Sequence, residues 1–388
     1  MLYQEYQLAP TKAFINLDNL SYNYRIIKER IGDCKIMAVV KADCYGHGTF
    51  PVTKRLVEEG VEFMAVARVA EALELIQNDI DAKILIFGRI FHNELETAIE
   101  EDIRLTLTCE KDIDIIARKA KKLNKTAYIH INVDTGMGRT GLFLEDADKI
   151  IQKAIDTPNI EVEGLYSHFA TADCKDKSYT KIQLNRFLDL LDKLEKRNIE
   201  IPYIHMANGS AVLDIPESYR GKFNMARIGL LLYGYYSSVE TSESLPLKQV
   251  MTLKSKIREI RELPPNSPVS YGKKYITSKK TKIAILPIGY ADGILRSFSN
   301  KVKVMINGRL YPIVGGVTMS QLMVEVDEYV KEGDEVMFWG ESEAGELRAS
   351  RVAEQAGTIA YELTCSVSRR VPKIFDPRDR TIDVEMEK

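Results

Sequence analysis

The feature that says most about the fold of this chain is a regular alternation of short β-rich runs with longer amphipathic segments, from about residue 35 to residue 234. Apolar runs of strand length predict buried strands, and the charged segments between them have helical periodicity. Eight such strands with their helices predict a closed (β/α)8 barrel, of the TIM type. The structural rival is an open doubly wound sheet, which usually has fewer strands and a glycine-rich first turn that this chain lacks. The predicted strands are KIMAVV (35–40), FMAVA (63–67), ILIFG (84–88), RLTLT (104–108), AYIHINV (127–133), VEGLYSHF (162–169), YIHMAN (203–208) and RIGLLLYG (227–234).

Helical periodicity is clearest in IQLNRFLDLLDKLEKRN, residues 182–198. Its apolar residues recur at helical spacing with charged residues on the other face, which predicts a helix packed on the barrel. The predicted apolar face consists of Ile182, Phe187, Leu190, Leu191 and Leu194. Shorter helical patterns occur in TKRLVEEG, VAEALELIQN and KDIDIIARKAKKL.

After residue 245 the pattern changes to short β-rich runs separated by turn signals such as LPPNSPVS, INGR and KEGDE, and helical patterns nearly vanish. We therefore expect a barrel at residues 12–245 and a mostly β domain at residues 246–388. The early run AFINLD (13–18) would be a ninth strand. We expect it to lie outside the barrel and to join the second domain, together with the rest of residues 1–18.

Bulk properties argue against several classes of function. The net charge of −2 over 388 residues disfavours non-specific binding to nucleic acid or to an anionic membrane surface. No apolar run is long enough to span a bilayer, and MLYQEYQLAP lacks the features of a signal peptide, so we expect a cytoplasmic protein. The five cysteines show no CxxC spacing, which indicates reduced thiols and neither a disulfide framework nor a zinc site.

Lysine, arginine, histidine and other polar residues follow the predicted strands. The active site of a barrel of this kind lies at the carboxyl ends of its strands. One polar residue at a barrel rim is often only solvated, so the argument depends on the whole set. No acidic cluster with metal-ligand spacing accompanies the set, and we expect no metal site. The residues at the strand ends are Lys41, Tyr45, Arg139, His168, His205, Asn208, Ser210, Arg227 and Gly229.

A lysine beside arginines and glycine turns suits a phosphorylated aldehyde. A lysine made less basic by neighbouring cations can attack a carbonyl and form a Schiff base. The backbone N–H groups of glycine turns hold phosphate. These features together fit pyridoxal 5′-phosphate, whose ring nitrogen needs a partner of its own.

Eight motifs, in order and over almost the whole chain, resemble the successive motifs of the bacterial alanine racemases. They are VVKADCYGHG, VDTGMGRTG, SHFATAD, HMANGSA, MARIGLLLYG, VSYGKKY, PIGYADG and VGGVTMSQLMVEV. The resemblance implies a pyridoxal-phosphate isomerase built from a barrel and a C-terminal β domain. It would interconvert L- and D-alanine and so supply D-alanine for cell-wall peptidoglycan.

The resemblance also implies two bases on opposite faces of the cofactor. Lys41 matches the lysine that forms the Schiff base and acts on one face. Tyr271 matches the base on the other face, reaching in from a second subunit, so a homodimer with shared active sites is implied. Two bases are needed because racemisation removes the α-proton on one face and returns it on the other.

Other positions match supporting residues of the family. Arg227 matches the arginine at the pyridine nitrogen, which cannot give the ring a full proton because its own pKa is above about 12. His168 matches a histidine that orients the opposing tyrosine, and His205 matches one that supports Arg227. Arg139 matches the arginine near the cofactor's phenolic oxygen and the substrate carboxylate, which the partner subunit's Met319 also meets. The remaining matches are cofactor contacts at Tyr45, Asn208, Ser210, Gly229, Leu230 and Tyr361.

Three positions depart from the family pattern. Asn132 stands where many relatives carry a lysine that can be carbamylated to brace the arginine, and a bound anion such as chloride would take that place. Ser320 stands at the usual aspartate, and Gly209 stands where a phosphate-binding serine is common, with Ser210 one place later. All three lie close to substrate or cofactor, so a serine or broad-specificity racemase remains an alternative.

Two further hypotheses come from other classes of protein. A non-catalytic pyridoxal-phosphate carrier would have a similar barrel, but such proteins usually lack a C-terminal β domain. An amino-acid decarboxylase would share the two-domain plan. Arg227 argues against it, because an acidic residue at the ring nitrogen would strengthen the electron sink that a decarboxylase uses.

Overall fold

Eight parallel strands form a closed barrel in the first two thirds of the chain. The computed structural model describes residues 8–375. The strand order around the barrel is β4-β3-β2-β10-β9-β8-β6-β5 in the numbering below. Backbone hydrogen bonds of 2.8 and 3.0 Å join Arg104 to the β4 residues Ile84 and Ile86 and complete the ring. The first ten strands are β1 (Thr11–Ile15), β2 (Lys35–Val39), β3 (Phe63–Val66), β4 (Lys83–Ile86), β5 (Leu105–Leu107), β6 (Ala127–Asp134), β7 (Leu142–Phe143), β8 (Ile160–Tyr166), β9 (Tyr203–His205) and β10 (Met225–Ile228).

Helices flank the strands of the barrel, and the longer helices bury one face against it. They are α1 (Leu17–Ile31), α2 (Thr49–Glu58), α3 (Val69–Gln77), α4 (Leu95–Glu100), α5 (Lys111–Leu123), α6 (Leu144–Asp156), α7 (Ser178–Lys196) and α8 (Gly209–Asp214). In α7 the predicted apolar face is right for Phe187, Leu190, Leu191 and Leu194, which are all buried. It is wrong for Ile182, which is exposed, because five residues of helix turn it well away from Phe187.

The predicted barrel is confirmed, but its last strand is shorter and earlier than RIGLLLYG suggests. That strand runs over Met225–Ile228, and residues 230–234 form turns. Leu231, Leu232 and Tyr233 are nevertheless almost completely buried, so the apolar run marks burial and not strand. A buried turn and a buried strand have the same composition, and periodicity alone does not separate them.

The second part of the chain is mostly β, as predicted, and β1 pairs with it. The remaining strands are β11 (Met251–Lys256), β12 (Glu259–Leu263), β13 (Thr281–Leu286), β14 (Lys303–Ile306), β15 (Arg309–Pro312), β16 (Leu322–Val326), β17 (Glu335–Ser342), β18 (Gly345–Leu347) and β19 (Lys373–Ile374). One sheet has the order β15-β14-β17-β11-β1-β19, with β18 beside β17, and a second has the order β12-β13-β16. In the first sheet Thr11 is opposite Ser255 in antiparallel register. Of the expected domain ranges, residues 1–7 and 376–388 lie outside the described residues.

Two helices in the second part were missed. They are α9 (Ala349–Ala356) and α10 (Ala360–Ser366). α9 is amphipathic, with Ala349, Val352, Ala353 and Ala356 on its buried face, but it has only eight residues, which is too short for helical periodicity to be recognised in the sequence. Within residues 8–375, no helix offers an apolar stretch of the length that a bilayer crossing requires.

Candidate active site

A cavity of about 430 Å³ lies at the carboxyl ends of the barrel strands. A larger cavity of about 660 Å³, lined by residues of β1, β11, β14 and β17, includes none of the predicted site residues. We therefore take the barrel cavity as the candidate site. The predicted residues that line it are Lys41, Tyr45, Arg139, His168, Asn208, Arg227, Gly229, Leu230 and Tyr361.

Lys41 lies two residues beyond the end of β2, at the start of the segment Lys41–Gly46. Burial lowers the pKa of its amine, the nearby positive charge of Arg139 lowers it further, and the carboxylate of Glu71 acts in the opposite direction. A lysine with a lowered pKa has a larger neutral fraction at physiological pH. That neutral amine is the form that attacks a carbonyl or accepts a proton.

The four residues that follow Lys41 have a left-handed backbone, although none of them is glycine. Ala42, Asp43, Cys44 and Tyr45 have φ between 52 and 55° and ψ between 38 and 54°. A left-handed turn costs about 1–2 kcal/mol for each L-residue because Cβ approaches the following carbonyl oxygen. The surrounding structure must therefore hold this turn in place. The turn fixes the backbone position from which the side chain of Lys41 extends.

Three ionisable side chains hold the left-handed turn. Glu71, in the first turn of α3, accepts a hydrogen bond from the N–H of Ala42 at 2.8 Å. The carboxylate of Asp43 pairs with the amine of Lys373 in β19 at 2.7 Å. His47 is completely buried, and its Nδ1 lies 2.9 Å from two carbonyl oxygens of the turn. The position of Lys41 thus depends on α3 and on the second domain as well as on β2.

Arg227 lies in β10 and is almost completely buried at the base of the cavity. Its Nη1 donates to Nδ1 of His205 at 3.1 Å. Its Nη2 donates to Nδ1 of His168 at 3.0 Å and to the carbonyl oxygens of Ser167 and Met206 at 2.8 and 3.1 Å. Within residues 8–375 these bonds leave Nε as the guanidinium nitrogen without a protein partner, and that N–H is available to a ligand in the cavity.

Burial sets the charge state of this group of side chains. Burial and the charge of Arg139 lower the pKa of Arg227 to about 10, so the guanidinium stays charged at neutral pH. Burial, followed by the charges of Arg227, Arg139 and Lys41, lowers the pKa of His168 to about 3. His168 is therefore neutral at neutral pH, and its Nδ1 accepts the bond from Arg227.

Hydroxyl groups converge at the other end of the cavity. The hydroxyls of Ser210 and Ser237 lie 2.9 Å apart, and that of Ser237 lies 3.2 Å from the hydroxyl of Tyr361. A Cβ atom at Gly229 would lie 2.6 Å from the hydroxyl of Tyr45, so only glycine leaves that hydroxyl in place. Neutral donors and an open backbone are a suitable lining for a phosphate.

Arg139 lies in a turn that Asp134 organises. One carboxylate oxygen of Asp134 accepts the N–H groups of Gly136 and Met137 at 2.8 and 2.7 Å. Asn132, in β6 below this turn, donates from Nδ2 to the carbonyl oxygen of Thr140 at 3.1 Å. Its Oδ1 is buried and has no hydrogen-bond partner among residues 8–375. The side chain that departs from the family pattern is thus held in place but only half satisfied.

The other two departures have different surroundings. A Cβ at Gly209 would lie 3.0 Å from the side chain of Leu231, so a serine there would require Leu231 to shift. The hydroxyl is supplied one residue later by Ser210. Ser320 lies beside Met319 in the loop before β16, away from the cavity of its own chain.

Tyr271 and Met319 do not line the barrel cavity of their own chain. Their side chains are 78% and 58% exposed. The two loops that carry these residues are in contact: the hydroxyl of Ser270 donates a hydrogen bond to the carbonyl oxygen of Gly316 at 2.7 Å. Ser270 itself has a φ of 61°, so a strained residue sets the direction of Tyr271. The two residues therefore form part of one exposed surface on the second domain.

Several residues at the site were not predicted from the sequence. Ser237 joins the predicted hydroxyls at the end of the cavity, and Glu71 holds the left-handed turn. Tyr166 stacks on His205, with 4.9 Å between ring centroids, and its ring lies 5.1 Å from the Arg227 guanidinium. Glu71 offered a sequence signal, since a glutamate three residues into a helix often accepts the N–H at the helix start. Its Oε2 accepts the N–H of Arg68 in this way.

The buried histidines predict a specific pH dependence of stability. His47, His130 and His205 are completely buried, and burial lowers the pKa of each, for His47 to about 4 although two carbonyl contacts act the other way. The unfolded chain binds these protons near pH 6.5, so the free energy of unfolding should fall as pH drops from about 6.5 to 4. The expected slope is about 1.4 kcal/mol per pH unit for each histidine.

Urea unfolding at a series of pH values measures this slope. In His47→Gln the slope of the unfolding free energy between pH 6 and 4.5 should be smaller by about 1.4 kcal/mol per pH unit, which corresponds to one proton. The variant His92→Gln, which removes an exposed histidine, is the comparison. An unchanged slope in His47→Gln would show that His47 takes up no proton on unfolding.

Comparison with known proteins gives one family for both parts of the chain. The family models described as alanine racemase, N-terminal domain and alanine racemase, C-terminal domain match residues 15–237 and 250–375. Alanine racemase 2 of Caldanaerobacter subterraneus subsp. tengcongensis is 43% identical over 383 residues, which cover 98% of this chain and 98% of that protein.

Solved structures agree with the family models. The alanine racemase of Clostridium difficile 630 is 40% identical, with a TM-score of 0.88 over 95% of this chain and 96% of that chain. The alanine racemase of Bartonella henselae with covalently bound pyridoxal phosphate is 27% identical, with a TM-score of 0.85 over 95% of this chain and 100% of that chain. Both domains match in order and at nearly full length, and the chain therefore belongs to the alanine racemase family.

Proposed function

We propose that this chain interconverts L- and D-alanine with pyridoxal 5′-phosphate bound in the barrel cavity, and that the D-alanine serves peptidoglycan synthesis. The observation that carries the proposal is that a lysine with a lowered amine pKa and a buried, charged arginine share one cavity. Membership of a family of pyridoxal-phosphate isomerases supports the reaction. The relatives named alanine racemase favour alanine over serine or a broader range of substrates.

The residues of the cavity fit the cofactor. At one end the hydroxyls of Tyr45, Ser210, Ser237 and Tyr361 offer donors for a phosphate, and the absence of a side chain at Gly229 keeps that end open. In the middle, the Nε of Arg227 can donate to a pyridine nitrogen. At the other end lies Lys41 for the aldehyde carbon. Backbone N–H groups and a cation around a concave, largely preformed cavity are typical of cofactor sites.

Each side chain has a definite task in this proposal. The cofactor, when bound, withdraws electrons from the substrate's α-carbon and makes its proton acidic. Lys41 lies in a position to take or return that proton, because burial and the charge of Arg139 keep part of its amine neutral. Arg139 also offers a cation to the substrate carboxylate. Arg227 donates a hydrogen bond to the ring but keeps its own proton, which limits how strongly the ring withdraws electrons.

Inversion at the α-carbon requires a second base on the opposite face. We propose the partner subunit's Tyr271 for this task, and the partner subunit's Met319 as a contact of the substrate carboxylate. Two facts support a contribution across an interface: these residues do not line the cavity of their own chain, and their side chains are largely exposed. In a two-fold dimer, Tyr271 and Met319 of each subunit would complete the active site of the other subunit.

Borohydride reduction of the cofactor-loaded protein tests the assignment of Lys41. Reduction should fix the cofactor on the peptide that contains KADCYG, since Lys41 is the lysine of the cavity lining. Peptide mapping by mass spectrometry identifies the labelled residue, and the Lys41→Ala chain is the control. Label on another lysine of the unmodified protein would remove Lys41 from its proposed role.

A panel of L-alanine, L-serine, L-lysine and L-arginine tests the reaction and its substrate. With added cofactor, loss of optical purity should be fastest for alanine. Faster racemisation of serine would transfer the assignment to a serine racemase, and carbon dioxide release without racemisation would identify a decarboxylase.

A further inference from the structure

A line of buried polar side chains runs from Arg227 down the inside of the barrel. Arg227 Nη1 lies 3.1 Å from Nδ1 of His205, and Nε2 of His205 lies 2.9 Å from Nδ1 of His130. Nε2 of His130 lies 3.9 Å from a carboxylate oxygen of Glu163, which a salt bridge of 2.9 Å joins to Arg104. The line therefore begins at the candidate site and ends at the amino-terminal side of the barrel, where Arg104 precedes β5.

The two ends of this line give its hydrogen bonds one direction. An arginine can only donate, so Nδ1 of His205 must be unprotonated. Burial lowers the pKa of His205 and of His130 from an ordinary value that is already below 7, so both are neutral at neutral pH. Neutral His205 then carries its proton on Nε2 and donates it to Nδ1 of His130, and neutral His130 carries its proton on Nε2, toward Glu163. At 3.9 Å this last contact is longer than a hydrogen bond and is an attraction between an N–H dipole and a charge.

Glu163 keeps its negative charge although it is buried. Burial alone would raise the pKa of its carboxyl, but His130, Arg104 and Lys83 outweigh burial and lower the pKa to about 2. Lys83 lies 3.7 Å from the second carboxylate oxygen. An anion thus stays fixed below His130 across the physiological pH range.

The barrel is shaped around this line. His130 and His205 are completely buried, and a Cβ at Gly164 would lie 2.2 Å from Nδ1 of His130. Any larger residue at position 164 would displace the imidazole. Within residues 8–375, Nε2 of His130 is one of only three buried side-chain polar atoms without a hydrogen-bond partner. An unpaired buried donor costs free energy, so stability alone does not explain this arrangement.

We propose that His130 and Glu163 are positioning residues that fix the tautomer of His205 and thereby hold Arg227 in the orientation that meets the cofactor's ring nitrogen. With the other tautomer of His205, an N–H at Nδ1 would face the N–H of Arg227, and the guanidinium would have to turn away. The inference rests on the proposed function only for the identity of the ring that Arg227 meets. The order of protons along the line follows from this chain's own residues.

Nuclear magnetic resonance of the protein labelled with ¹⁵N in histidine tests the proton order directly. The chain has five histidines, so the spectrum is simple to assign with single variants. In the cofactor-loaded protein His205 and His130 should both be neutral and protonated at Nε2 alone. A proton on Nδ1 of His205 in the unmodified protein would overturn the proposal, whether or not the protein racemises alanine.

Glu163→Gln then tests the role of the Glu163 carboxylate, because the substitution removes the negative charge and keeps the size of the side chain. The spectrum of His205 should show a mixture of tautomers, and kcat for racemisation should fall on the order of tenfold, as for loss of one contact with a charged group. Glu161→Gln is the matched control, since Glu161 is an exposed residue of the same strand. If His205 in Glu163→Gln keeps a single tautomer protonated at Nε2 and kcat is unchanged, the charge of Glu163 does not fix that tautomer.

A pair of variants at His130 separates positioning from packing. His130→Asn keeps an acceptor that can meet Nε2–H of His205, whereas His130→Leu removes it at similar volume. We expect the tautomer of His205 and most of kcat to survive in the asparagine variant and to be lost in the leucine variant. Equal behaviour of the two variants would show that His130 only fills space. Absence of racemisation by the unmodified protein would contradict the proposed function and leave the tautomer result standing.

Discussion

A Tyr271→Phe variant should racemise alanine about 10²–10⁴-fold more slowly than the unmodified chain, because it loses one of two opposed acid–base groups. The phenyl ring keeps the shape of the side chain, so the surface that carries it should persist. The rate of loss of optical purity from L-alanine and from D-alanine measures the effect. Exchange of the α-proton with deuterated solvent should survive in part, because Lys41 still acts on its own face.

A second tyrosine of the same domain provides the control for this variant. Tyr329 is 63% exposed, and its ring centroid lies 4.8 Å from the guanidinium of Arg309. Tyr329→Phe should racemise alanine at the unmodified rate. Near-normal racemisation in both directions by Tyr271→Phe would remove Tyr271 from the mechanism.

Mixing two inactive variants should restore activity if each site takes one base from each subunit. Lys41→Ala lacks the base of the barrel, and Tyr271→Phe lacks the base of the second domain. In a mixed two-fold dimer one site carries both changes and the other carries neither. Random pairing puts about half of the chains in mixed dimers, so roughly a quarter of all sites should be intact and the rate should recover to about that fraction.

The mixing experiment needs proof that the chains exchange. Variants with different affinity tags, purified in sequence, isolate the mixed dimer and show its amount. If mixed dimers form and no activity returns, both bases must come from one chain. The exposed position of Tyr271 would then need another explanation.

The barrel was predictable because its strands are buried on both faces and read as continuous apolar runs between amphipathic helices. The same logic failed at residues 230–234, where an apolar run is buried as a turn. It also failed at α9, which is amphipathic but only eight residues long, so its period does not stand out in the sequence. In the first case burial occurs without a regular period, and in the second the period extends over too few residues.

The residues of the candidate site that lie at the carboxyl ends of barrel strands were predictable from the sequence. Lys41, His168 and Arg227 meet in one cavity because parallel strands bring their carboxyl ends together. The left-handed turn after Lys41 was not predictable, because Ala42–Tyr45 includes no glycine and its conformation depends on distant partners such as Lys373. His130 was missed because a histidine within a predicted strand gives no sign of which side chain it meets.

The pairing of β1 has a consequence for how the chain is made. Ser255, the partner of Thr11, follows it by 244 residues. At a synthesis rate of about 5–20 residues per second, the first strand waits on the order of 10–50 s before its partner leaves the ribosome. During that time an apolar strand with free edges is exposed to other nascent chains, and such edges are where aggregation starts. We therefore expect the yield of this protein in a cell to be sensitive to what covers β1 before β11 is made.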